Sequence, residues 1–409
     1  MLIGGPPCQA YSVVGRSRNK GVDGYEAEDD QRHFLYREYL RIIANHWPSV
    51  FVMENVTGIL SAKVGQNTDP MWNQIVEDLA DPAGALGMTD YAGEYDGYRL
   101  YSLVTPWKGS DLFGKPNLKP EDYVVKCENY GVPQARHRVF ILGVRSDISV
   151  EPGQLVPHDT KVACGAVLDD LPRLRSGLTK VEDSDSNWLS LMQKSLNEAW
   201  WDQVEDGGET RLRAKKAIDN LSVSKHGRGG QYVAYRGKVA DKLPSHLQDW
   251  YADTKMKGVC NHMTKAHMES DLYRYLFAAS YSKVGNDKLQ LRHFPETLLP
   301  DHENVVESLG GKKGDDIFVD RFSVVQPEAP ARTIVSHIAK DGHYYIHPDI
   351  QQARSLTVRE AARVQTFSDN FYFPGSRTDQ YSQVGNAVPP YLALQIAALV
   401  DDVLYRAGR

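Results

Sequence analysis

Apolar residues recur in two different rhythms along this chain, and the change falls near residue 150. Up to about Asp147, short apolar runs alternate with amphipathic stretches. Leu2-Ile3 leads into the turn Gly4-Gly5-Pro6-Pro7, Phe34 to Trp47 carries apolar residues at helical spacing, and Ser49 to Met53 is a strand-like run ending at Glu54-Asn55. Trp72 to Leu79 predicts a second helix and Val139 to Val144 another strand. Strand and helix in alternation predict an α/β fold built on a parallel sheet. Open sheets of this kind bind ligands beyond the carboxyl ends of their strands, where Cys8 and Glu54 fall.

From about Val150 to Arg321 the alternation gives way to charged, Gly-containing, Tyr-rich sequence without internal repeats, which predicts a second, irregular α+β domain. Leu356 to Val364 predicts a helix with Thr357 as N-cap and Glu360 completing a capping box. After Pro374-Gly375-Ser376, Tyr391 to Tyr405 predicts a terminal amphipathic helix that returns to the first domain.

A length of 409 residues has room for two or three domains, and 41% hydrophobic with 24% charged residues excludes disordered, fibrous and low-complexity classes. With no apolar run of about 18 residues and no basic-then-apolar leader, the expectation is a cytoplasmic protein without a membrane segment. Four scattered cysteines (Cys8, Cys127, Cys164 and Cys260) do not make a disulfide framework, so a thiol is available for chemistry. The net charge of −6 excludes a uniformly basic coat. Residues Arg211 to Lys242 nevertheless hold nine Lys/Arg against two Asp, a local +7 that leaves −13 for the remainder.

Three short segments carry candidate chemistry. Two prolines stiffen the turn before Cys8 and present its thiol with little freedom; the plain alternative is a buried small hydrophobe. Glu54 ends an apolar strand, where a partly desolvated carboxyl holds a proton near neutrality, unless an arginine simply pairs with it for structural reasons. Gln134, Arg136 and Arg138 alternate on an extended segment and would share one face as forked donors for a carboxylate or a polar ring, or else form a solvated edge. Cys260-x-His262 with His267 fits no standard zinc spacing, so no metal is assigned.

Together these residues resemble the ordered signature blocks of the DNA cytosine carbon-5 methyltransferases: Pro7-Cys8-Gln9, Glu54-Asn55-Val56, Gln134-x-Arg136-x-Arg138, the Arg354 to Phe367 stretch, and Gly385-Asn386-Ala387-Val388-Pro389. The resemblance implies a Rossmann-like methyltransferase sheet lacking its first strands, plus an irregular α+β target-recognition domain. The implied division is 1–147 catalytic, 148–350 target recognition, 351–376 connecting helix and hinge, and 377–409 returning to the catalytic domain. By resemblance, Cys8 adds to carbon 6 of cytosine, Glu54 protonates ring nitrogen 3, Arg138 binds the 2-oxo group, Arg136 holds Glu54, and the Pro6 carbonyl accepts from the exocyclic amine. Gln9, Ser12, Asn55 and Gln134 would line the substrate site, and the Ser12 to Glu26 segment resembles the loop that closes over a flipped base. Pro7, Asn386 and Ala387 would contact S-adenosylmethionine.

The long region between the third and fourth blocks is where the family keeps its variable recognition domain. Arg228 and Arg236, interleaved with glycine and tyrosine, are read as contacts to duplex DNA, against the plain reading of a solvated charged face. The family's Gly-rich cofactor turn and the acidic residues after it precede the first block present here. Three expectations follow: a separate N-terminal methyltransferase subunit that completes the sheet, a truncated or mis-started sequence, or a recognition polypeptide that binds DNA without catalysis. The resemblance places the chain in a nucleoid-associated modification system with cognate restriction or defence proteins.

Overall fold

A computed structural model describes residues 1–6, 35–62, 70–88, 95–109, 117–206, 208–235, 243–251, 253, 255–284, 289–300, 322–340 and 342–409. The chain divides into two compact units. The first comprises Met1–Gly131, Arg136–Thr160 and Leu392–Arg409, and the second Val132–Ala135 and Lys161–Tyr391.

The first unit is built on a sheet of β1 (Leu2–Gly4), β2 (Val50–Val56), β3 (Tyr98–Tyr101), β4 (Val124–Lys126) and β6 (His137–Arg145); β5 (Gln134–Ala135) belongs to the second unit. The order is β1-β2-β6-β3, with β4 also on β6. Only β1 and β2 run parallel, and β6 is antiparallel to β2, β3 and β4. The expected parallel sheet is thus a mixed one. Alternation of strand and helix identified the α/β class, but the direction of the long β6 is set by its partners, not by its own apolar run.

Helix α1 (Tyr36–His46) connects the parallel pair and turns Tyr36, Tyr39, Leu40, Ile43 and Ala44 inward at helical spacing. Helix α2 (Met71–Ala80) joins the same core through Met71, Trp72, Ile75, Val76 and Leu79. Space for this packing comes from glycine: a Cβ on Gly143 would lie 2.1 Å from the Phe51 ring, and one on Gly4 would lie 2.4 Å from the Tyr39 ring. The C-terminal helix Pro390–Arg406 is held to this unit by bonds from Gln395 to the Tyr130 carbonyl (3.0 Å) and from Arg406 to the Glu151 carbonyl (2.8 Å).

The second unit contains β7 (Gly177–Leu178), β8 (Gly229–Ala234), β9 (Gly258–Met263), β10 (Ala266–His267) and β11 (Ala331–Arg332) in two-stranded pairs, and helices α3 (Asp185–Ser195), α4 (Glu209–Asp219), α5 (Ser245–Tyr251), α6 (Glu269–Tyr281), α7 (Val358–Val364) and α8 (Arg377–Asn386). All seven residues of α7 are buried, including Arg359, Glu360 and Arg363. The capping box forms as expected: the Glu360 amide donates to Thr357 Oγ1 (3.1 Å) and the Thr357 amide to Glu360 Oε2 (2.7 Å).

The first unit resumes at Leu392 and not at residue 377, and residues 351–376 fall within the second unit. Close packing keeps α8 there. A Cβ on Gly385 would lie 2.3 Å from the Ser336 nitrogen, and Gln365 donates to the Val384 carbonyl at 2.8 Å. Among the described residues no single helix is long and apolar enough to cross a membrane.

Candidate active site

In the first unit the candidate site gathers where β1 leaves the sheet beside β2. The register sets Leu2, Ile3 and Gly4 against Phe51, Val52 and Met53, so Gly5-Pro6 emerges alongside Glu54-Asn55. The Asn55 side chain is buried and donates to the Pro6 carbonyl at 3.3 Å, while its Oδ1 accepts from the Val56 amide at 2.9 Å. Asn55 therefore fixes the backbone immediately before Pro7-Cys8. Gly5, which the sequence did not single out, leaves room for the acid: a Cβ there would sit 3.2 Å from Glu54 Oε2. A glycine facing a strand-end carboxyl was the available signal.

Glu54 and Arg138 are diagonal neighbours across β2 and β6, because Glu54 lies opposite Phe140 and Val56 opposite Arg138. Arg138 Nε meets Glu54 Oε1 at 3.1 Å, with side-chain exposures of 14% and 21%. Desolvation nevertheless raises the Glu54 carboxyl above its ordinary range, and the charges of Arg138 and Arg136 only partly oppose it. The direct ion pair on Glu54 thus comes from Arg138, the arginine expected on the cytosine 2-oxo group, whereas buried Arg136 acts on it through its charge. The β2 strand also continues through Glu54-Asn55 to Val56, where the sequence reading ended it.

Two of the other thiols are poor nucleophiles. Cys127 is fully buried and pushed up to about 12 by desolvation, and burial raises Cys164 as well. Cys8, Pro7, Gln9, Ser12 and the loop after them lie outside the described residues, as does Arg236.

The second unit takes Gln134 out of the expected donor row. Both of its amide hydrogens are engaged, at 3.1 Å to Gln365 and 3.4 Å to the Val364 carbonyl, and its Oε1 accepts from the Ile334 amide at 2.7 Å. It is a buried tie to the end of α7 and offers no free donor to a substrate. Asn386 closes α8 with an exposed side chain, followed by Ala387 in extended conformation. The adjoining backbone at Gly385 is pinned against Val335 and Ser336.

The basic stretch divides in two. Arg211, Arg213, Lys215 and Lys216 line the exposed face of α4, with Thr210, Ala214 and Ile218 turned inward. Arg228 directly precedes β8 and is held internally, by Asp183 at 2.7 Å and the Thr264 carbonyl at 3.1 Å, so it is not a free phosphate contact. Its charge, together with desolvation, lowers Arg377 at the start of α8. His262 is likewise structural. Its ring nitrogens meet Thr357 Oγ1 (2.9 Å) and the Pro172 carbonyl (2.8 Å), which leaves no lone pair for a metal.

A family model described as C-5 cytosine-specific DNA methylase matches residues 1–81 and 119–400. The chain is 31% identical over 408 residues to the type II methyltransferase M.Bpa9945I of Bacillus paralicheniformis, covering 99% of this chain and 70% of that protein. It is 28% identical over 420 residues to the type II methyltransferase M.AgeI of Thalassovita gelatinovora, covering 98% and 82%. It is also 26% identical over 424 residues to the DNA (cytosine-5-)-methyltransferase M.ApeKI of Aeropyrum pernix, covering 99% and 81%.

Proposed function

Because the chain belongs to the C-5 cytosine-specific DNA methylase family, whose reaction is methylation of cytosine carbon 5 in DNA, we propose that Cys8 is its nucleophile and Glu54 its general acid. The observation that supports this reading most is a carboxyl raised by desolvation, set beside the Gly5-Pro6 backbone that leads directly into Pro7-Cys8.

Carbon 5 of cytosine is a weak nucleophile, and addition of the Cys8 thiolate to carbon 6 changes that. As the carbon–sulfur bond forms, Glu54 delivers its proton to ring nitrogen 3, leaving an enamine whose carbon 5 takes the methyl group. S-adenosylmethionine, the donor the family implies, supplies an electrophilic sulfonium methyl with a neutral thioether as leaving group. Loss of the carbon-5 proton to a base then expels the Cys8 thiolate, and the nitrogen-3 proton returns to Glu54. A raised carboxyl is protonated for the first step and regenerated by the last. Arg138 keeps it aimed and, with its remaining guanidinium donors, faces the 2-oxo group; the Pro6 carbonyl, braced by Asn55, accepts from the exocyclic amine. None of these contacts is open to a stacked base, so the cytosine is flipped out of the duplex. Asn386, Ala387 and Pro7 would hold the donor, and the exposed second-unit surface around α4 and the β8–β9 ribbon would carry the duplex.

The test is transfer of labelled methyl from S-adenosylmethionine to unmethylated duplex DNA, together with trapping on duplexes containing 5-fluorocytosine, where the carbon-5 fluorine blocks the final elimination. The expected result is transfer and a covalent protein–DNA band, both lost in Cys8→Ala. Transfer that survives Cys8→Ala, or DNA binding with neither transfer nor band, would overturn the reading.

A further inference from the structure

The antiparallel β8–β9 ribbon contains a side chain whose orientation is set by a relay of hydrogen bonds. Asn261 on β9 is buried and has φ of 56°, a left-handed conformation that asparagine tolerates better than most residues. Its amide bridges the backbone of Phe373: Oδ1 accepts from the Phe373 nitrogen at 2.9 Å, and Nδ2 donates to the Phe373 carbonyl at 3.0 Å. These two bonds fix which end of Asn261 is oxygen and which is nitrogen. Its second Nδ2 hydrogen goes to Oε1 of Gln231, at 3.0 Å.

Gln231 is exposed on β8, directly opposite in the ribbon, between the pairs Gly230 with His262 and Tyr232 with Cys260. With Oε1 held by Asn261, the Gln231 Nε2 group and its two hydrogens are the outward end of the amide. Tyr232 beside it is 53% exposed, and Gly227 and Gly229 lead into the strand with positive φ. The two bonds to Phe373 tie the ribbon to the segment after α7 and do not involve Gln231. What the third bond adds is a donor of fixed direction on a two-stranded ribbon, an element the DNA major groove admits.

We propose that Gln231 reads a base edge in the major groove of the target site, donating from Nε2 to an acceptor of a purine, with Asn261 as its positioning residue. This rests on the reading that the chain acts on duplex DNA through its second unit, and it names one residue that sets the recognised sequence.

Selection of bound sequences from a randomised duplex DNA library by the full chain, with methyl transfer to the selected motif measured separately, tests it. Wild type is expected to enrich a motif containing an obligatory purine. Gln231→Ala, an exposed change that leaves the fold intact, should weaken preference at that one base pair by about ten- to hundredfold and leave the others unchanged. Gln231→Glu, an acceptor in the same place, should turn preference there toward cytosine, whose N4 amine donates. Asn261→Gly keeps the positive φ but removes the relay, and should relax the same position. Selectivity intact in Gln231→Ala, or lost equally at every position, overturns the inference, and with transfer present the proposed function stands without it. A single-position change without transfer by wild type overturns the catalytic reading and leaves the inference standing.

Discussion

Glu54 and Glu360 each face an arginine, one in each unit, and their surroundings drive their carboxyls in opposite directions. Glu54 receives one 3.1 Å contact from Arg138 and stays raised, because desolvation outweighs the attraction. Glu360 receives Arg354 at both oxygens, each at 2.7 Å, and the Thr357 amide at 2.7 Å, and despite complete burial it is held far below the ordinary carboxylate range. Burial alone therefore does not decide protonation. Three short donors overcome the desolvation that a single longer one does not, so one glutamate is a fixed anion of the scaffold and the other holds its proton more tightly than an ordinary carboxyl.

The largest effect that would sharpen this contrast is chemical. Glu54→Gln should lower kcat by about 10²–10⁴ and abolish the acid dependence of the rate, with the unfolding midpoint nearly unchanged. Steady-state kinetics against pH checks this, and an unaltered kcat would break the comparison. Arg354→Met should do the reverse, leaving Glu360 buried and unpaired at a cost of about 3–5 kcal/mol in denaturant unfolding. Pairing it with Glu360→Leu should recover much of that loss.

Response to pH should also divide the units. His262 has a folded pKa of about 4 against an ordinary 6.5, and burial lowers His347 too, so the folded state binds fewer protons than the unfolded one. Their stabilisation is complete above 6.5 and is lost as pH falls toward 4. Glu360, also lowered, adds loss in the same direction. Glu54, being raised, stabilises fully below the ordinary carboxyl value and loses that contribution as pH rises through its elevated one. Hydrogen exchange measured from pH 6.5 to 4 should thus show protection declining in the second unit first, less so in His262→Asn; decline confined to the first unit would contradict it.

The smallest effect concerns α4. Changing Arg213, Lys215 and Lys216 to Gln should shift stability by no more than about 0.5 kcal/mol each, since all three are exposed. The salt dependence of DNA binding should flatten by about one unit of slope for each residue that meets a phosphate. An unchanged slope would make α4 a solvated face and leave the β8–β9 ribbon as the proposed DNA contact.

Much of the fold was legible where local chemistry settles conformation. Thr357 and Glu360 specified a helix start because a capping box closes within four residues, and the apolar run at Val50 specified a buried strand. Gln134 shows the limit. On an extended segment it shares parity with Arg136 and Arg138, yet its donors are taken by Gln365 and Val364, more than 200 residues away in the chain. Arg228 likewise looked free in a basic run and is paired with Asp183, 45 residues earlier.

By itself, the sequence determined the family of reaction, the buried strand that carries Glu54, and the capped helix near the end, because each depends on residue type and short spacing. Tertiary structure decided the direction of β6, the arginine that meets Glu54, the opposite shifts of the Glu54 and Glu360 carboxyls and the amide relay on the β8–β9 ribbon. Those outcomes depend on partners brought together only by folding, and on the desolvation that their packing imposes.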